Sequence, residues 1–342
     1  MFLTRALISV FLIPFHIFIF LITYNGIVRE SFINTDLFYF IDKIYFLGLF
    51  LLLLPLIFGF NSGAKNVMSF FDTFSTVLFL LFFGFIMNSL IWGFGSNSNF
   101  NILQFFAVCL FFVFIARKFL NFKYFGLLGA FFLAVYYLFF NFVSNLNNSF
   151  LNFLFGISES FSVIWPIFPW VGVFLIGFHL GEIYEKYDRK YDFLYIVFAL
   201  LFMSPLSFFA SLRPQISHSY PLFDVLVRPN LSLLIFVLGI FLFLIFLSKR
   251  YLNNLNFSKY GIVDIFSRGI LFVYVSQMFF GILFVMVIDK IFHLTPGIYY
   301  DLKDFFIYFI IINFIVFLIC RKISLWLLKI FDKRLIIEFK KN

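Results

Sequence analysis

The chain of 342 residues is poor in everything a soluble enzyme depends on: 12% charged residues, 4 histidines, 9 prolines and 2 cysteines. Each shortage excludes something. Cys109 and Cys320 both fall inside apolar segments, so neither a disulfide framework nor a thiolate metal site is supported. No cluster of His, Cys and carboxylate has metal-ligand spacing, and no glycine-rich phosphate loop is present. A Gly-x-Ser-x-Gly elbow is missing, as is the ladder of intramembrane carboxylates on which proton-driven pumps rely. Internal repeats are not evident, which counts against the inverted-repeat architecture of many secondary transporters.

What is abundant is apolar surface: 63% of residues are hydrophobic and 25% aromatic. No soluble domain can bury that much, so lipid is the solvent for most of the chain. The 65 phenylalanines occur in every apolar segment and form no ligand box. Apolar runs fall at about 6–24, 37–60, 69–93, 101–121, 124–143, 165–184, 191–212, 223–247, 263–289 and 304–331, each close to the length that spans a bilayer. The expectation is an all-α polytopic membrane protein, a single bundle of about ten helices over 1–335, with a short basic tail at 336–342.

The net charge of +9 invites a nucleic-acid reading only until the charges are placed. With a cytoplasmic N-terminus, 18 of the 25 basic residues fall on inner loops and tails, from Arg5 through Arg117, Lys118 and Arg250 to Lys341. That asymmetry predicts both termini on the cytoplasmic side. The C-terminal basic cluster reads most simply as a topology signal and an anchor to anionic membrane lipids. The connection 144–164, rich in Asn, Ser and Phe with Glu159 its single charge, predicts a re-entrant or interfacial piece.

Few polar side chains lie within the spans. Arg5 opens the first, and His16 follows eleven residues later, roughly 16 Å deeper and on the same helix face. Pro14 interrupts that helix just before it. An ionisable group at that depth is a functional candidate, the plainer alternative being a hydrogen bond between helices. Arg268, with Gln277 further along its span, is either functional or an arginine snorkelling to the inner headgroups. Arg228 has the equivalent choice at the outer side, and Gln104 suits a helix–helix hydrogen bond. Trp165 and Trp170 with Pro166 and Pro169 look like membrane-boundary chemistry, and Gly172, Gly177 and Gly181 permit close helix approach. His179 reads as structural. One histidine base with arginines to hold anionic groups suits transfer of an activated acyl group to a hydroxyl or amine.

Several segments together resemble the transmembrane acyltransferase superfamily, in particular its heparan-α-glucosaminide N-acetyltransferase-like branch, related to the acyltransferase-3 polysaccharide O-acyltransferases. They are the Arg5/His16 pair, NILQFFAV from Asn101, FPWVGVFLIGFHLG from Phe168, RPNLSLLIFVLG from Arg228 and FSRGILFVYVSQ from Phe266. They occur in the family's order. The resemblance implies acyl-CoA, most simply acetyl-CoA, as a cytoplasmic donor, no metal, and a saccharide or glycolipid acceptor in the plasma membrane or at the cell surface. It implies His16 as the catalytic base, with Arg5 and Arg268 on the donor side. The basic rim adds Arg117 and Lys118 as donor-side candidates, and Trp170, Gln104, Arg228 and Gln277 are the candidates for binding the acceptor. Gln277 stands where related sequences commonly carry a second histidine. The rival from another class is a glycolipid or small-anion transporter or flippase, using the same polar groups without forming a bond.

Overall fold

The structure, a computed structural model, describes residues 45–64, 70–92, 100–146, 148–156, 165–185, 192–204, 229–252, 261–293 and 302–339. The first expected span, with Arg5 and His16, lies outside the described residues, and so does Arg228. Among the described residues the regular elements are helices: α1 Tyr45–Ala64, α2 Phe70–Trp92, α3 Ile102–Ala116, α4 Phe125–Ser144, α5 Ser149–Phe155, α6 Ile167–Glu185, α7 Asp192–Phe202, α8 Leu231–Leu247, α9 Ile262–Arg268, α10 Ile270–His293 and α11 Leu302–Phe339. Among the described residues four stretches are long and apolar enough to cross a membrane: Phe70–Ser89, Phe125–Ser144, Ile167–Tyr184 and Phe309–Lys329. The described residues gather into two compact units, one within Gly48–Phe246 and a second within Leu247–Asn342.

The axis of the first unit is α6, and glycine is why. Gly59 and Gly63 of α1 lie against the carbonyls of Phe174 and Phe178, while Gly177 and Gly181 of α6 lie against those of Leu56 and Phe60. A Cβ at any of these four positions would sit 2.0–2.3 Å from a backbone oxygen. Two Gly-x-x-x-Gly stripes therefore interlock, letting parallel helices touch backbone to backbone as small residues do inside bilayers. On another side of α6, Gly172 meets Gly129 of antiparallel α4 in the same reciprocal way, each Cβ position 2.7 Å from the other's carbonyl. The opposite face of α4 presents Leu127, Phe131, Leu138 and Phe142, all exposed, while Phe125, Gly129, Tyr136 and Val143 are buried. That outward apolar face is the one lipid would cover.

Helix ends follow local chemistry. The Asn101 side chain accepts from the amides of Leu103 and Gln104, and Gln104 reaches back to the Asn101 amide, a capping box that fixes the start of α3. Asn148 caps α5 through the Phe150 and Leu151 amides, and Gly156 ends it with φ of 68°. Within the expected re-entrant piece, Phe155 of α5 stacks between Tyr136 and Phe168. Tyr137 donates to the Pro229 carbonyl at 2.7 Å, tying α4 to the entry of α8.

Several expected boundaries shift. The fourth span stops at Ala116, where the chain turns through Arg117–Asn121 before a short 3-10 turn at Phe122–Tyr124. The sixth bends in its first turn, because Phe168 has extended backbone ahead of Pro169. The ninth is two helices joined at Gly269. The supposed tail from 336 is still helical to Phe339, since α11 continues without a break through an apolar Leu335–Ile337 stretch.

In the second unit, α10 and α11 run antiparallel: the Cys320 thiol faces the Val273 carbonyl, and Gly269 lies against Ser324 and Leu328. Ile312, Val316, Cys320, Ser324 and Leu328 are all buried, one residue every four, so a single stripe of α11 faces its neighbours. Phe266 of α9 stacks on Phe317 at 5.0 Å.

Candidate functional site

A charged locus among the described residues lies where α3 ends, α4 begins and α6 ends. Arg117, the C-cap of α3, brings its guanidinium 3.4 Å from the Glu182 carboxylate and 5.7 Å from the centre of the Phe178 ring. Glu182 is buried, with 3% of its side chain exposed, whereas Arg117 keeps 26%. A carboxylate brought this far out of water needs its cation, so the pair fixes the arginine head with one face on an aromatic ring. One turn earlier on α6, His179 lies over the first turn of α4; a Cβ on Gly126 would sit 2.6 Å from the imidazole. Lys118 turns back over Phe114, its ammonium 5.2 Å from that ring. Arg117 and Lys118, both expected on the donor side, thus share one helix end. Neither His179 nor Glu182 stands out in the sequence as part of a site; the i, i+3 spacing on one helix face is the signal that could have joined them.

Gln104 and Trp170 are brought to the opposite ends of the same two helices. The Gln104 side-chain oxygen accepts from the Asn101 amide at 3.0 Å and from the Asn88 side chain at 3.3 Å. Asn101 in turn donates to Asn88 and to the Gly84 carbonyl, both at 2.8 Å. Gln104 therefore makes the helix–helix hydrogen bond that its position suggested, within a network that locks α2 to α3. Trp170 is wholly buried, with its ring 4.9 Å from that of Trp165, which approaches Phe105 at 6.3 Å. Trp165 and Trp170, expected at the membrane boundary, are both buried within the protein, close to α3 through Phe105.

In the second unit, Arg268 is the last residue of α9, with Gly269 as its C-cap. Asp264, one turn earlier, is buried, and so are Ser267 and, on α10, Gln277. The buried carboxylates Glu182 and Asp264 qualify the sequence reading of a core without them. No group of three or more His, Cys, Asp or Glu among the described residues is arranged to hold a metal.

Comparison with protein-family models, with curated proteins and with solved structures gave no match.

Proposed function

We propose that the chain is a ten-span membrane acyltransferase with both termini cytoplasmic, moving an acetyl group from cytoplasmic acetyl-CoA to a hydroxyl or amine of a cell-surface or lipid-linked saccharide. The observation that carries this reading is Arg117: a guanidinium braced by a buried carboxylate and an aromatic ring, yet one-quarter exposed at the basic end of its helix. A part-exposed guanidinium held in place at a basic helix end favours a phosphate group by its charge, and Lys118 follows it directly. The resemblance of the ordered segments supplies the rest of the reading, with Arg5 and Arg268 also on the donor side.

In the proposed step His16 takes the acceptor proton while the acceptor oxygen or nitrogen attacks the thioester carbonyl carbon. The new acyl bond forms, the carbon–sulfur bond breaks, and the imidazolium returns its proton to the departing thiolate to give free CoA. Holding both reactants at one depth makes a bimolecular step nearly unimolecular.

The test uses the purified full chain with radiolabelled acetyl-CoA and a membrane glycolipid extract. Label recovered in glycan or lipid supports the reading, and Arg117→Ala should then mainly raise the donor KM. Absence of both acetyl-CoA binding and label transfer rejects it, and movement of labelled glycolipid across vesicles by the same sample would replace it with the transporter.

A further inference from the structure

The two faces of α11 behave differently along its length. Its buried stripe runs unbroken from Ile312 to Leu328. Its exposed side is apolar only as far as Leu318, through Ile307, Ile310, Ile311 and Phe314. Beyond that point the exposed residues become Arg321, Lys322, Trp326 and Lys329. Packing against the protein therefore continues while the outward chemistry changes, so the change marks the surrounding medium and not the end of the helix.

We infer that α11 crosses from hydrocarbon into headgroups at Arg321, and that Arg321, Lys322 and Trp326 form a binding site for anionic phospholipid headgroups. Trp326 is 63% exposed, whereas Trp165 and Trp170 are buried. An exposed tryptophan four residues after one lysine and three before another lies on their face of the helix. An indole amid cations matches the headgroup level, where amphipathic rings collect and phosphates carry the opposite charge. Lys322 to Lys329 rises roughly 10 Å, comparable with the thickness of one headgroup layer. The same pairing of exposed base and exposed aromatic occurs at the end of α8, with Arg250 and Tyr251, and after α3, with Lys118 and Phe119. Gly269 packs beside Ser324 and Leu328, so the joint of α9 and α10 stands at this same level.

The test is native mass spectrometry of the full chain released from micelles doped with equal phosphatidylglycerol and phosphatidylcholine. The wild type should retain phosphatidylglycerol preferentially, and Arg321→Gln with Lys322→Gln should weaken that preference by roughly fivefold per charge removed, more at low salt than at high. Equal retention of the two lipids by the wild type, or an unchanged preference in the double variant, overturns the site. A second measurement does not depend on the double variant folding. Lipids brominated near the headgroup should quench wild-type fluorescence more than that of Trp326→Phe; equal quenching contradicts the placement.

Discussion

Replacing Gly177 by alanine would set a methyl carbon 2.3 Å from the Leu56 carbonyl oxygen, with the Leu56 carbonyl carbon and Cα each at 2.9 Å. Ordinary contact begins at 3.4 Å, a shortfall of 1.1 Å, and the obstructing atoms are backbone. No rotamer relieves that, so α1 and α6 must part by about 1 Å, and a gap of that size forfeits a quarter to a half of each dispersion contact across the seam. Overpacking a fitted interior costs about 1–3 kcal/mol, and a backbone obstacle belongs at the upper end. Thermal unfolding in mild detergent, followed through the buried Trp165 and Trp170, should show a midpoint lower by roughly 5 °C. Gly126→Ala is the comparison: its methyl meets the His179 ring, which can swing aside, so the loss should be smaller. Combining Gly177→Ala with Gly59→Ala should cost less than the sum, because the first substitution already opens the gap that the second needs. A Gly177→Ala protein as stable as wild type, or strict additivity in the double variant, would refute the interlocked-stripe account.

Asn101→Ala removes the α3 cap and the donors to Gly84 and Asn88, an expected loss of about 2 kcal/mol in a denaturation midpoint, with Asn101→Ser recovering the capping part. Arg117→Gln should destabilise more than Glu182→Gln, because it strands the buried carboxylate, while Arg117 alone still reaches solvent; equal losses in parallel melts would contradict the assigned burial. Tyr137→Phe leaves the Pro229 carbonyl without its phenol donor and should cost about 1 kcal/mol, read by the same melts; no change would mean that another donor takes over.

Apolar runs marked the all-helical, membrane-spanning character of the described residues, because hydropathy and length are local. Gly177 and Gly181 were legible as a close-packing stripe, but their partners Gly59 and Gly63 lie more than a hundred residues earlier and carry no matching signal alone. Asn101 and Gln104 have the spacing of a capping box, a local rule that resolves the role of Gln104 before any ligand need be invoked. Glu182 is a different case. Carboxylates near a helix end normally reach water; here Gly181 lets α1 close over that turn while Arg117, 65 positions away, supplies the countercharge. The burial of Trp165 and Trp170 was hidden for a similar reason, since it depends on neighbours such as Phe105 across the seam. Arg5 and His16, on which the proposed chemistry turns, fall outside the described residues, and for them the sequence speaks alone.

The most direct test of the account is acetyl transfer measured side by side for the wild type and His16→Ala, each shown to be folded by its melting curve. The account predicts label from acetyl-CoA in glycan or lipid with the wild type and none with the variant. Transfer at the wild-type rate by His16→Ala would contradict it.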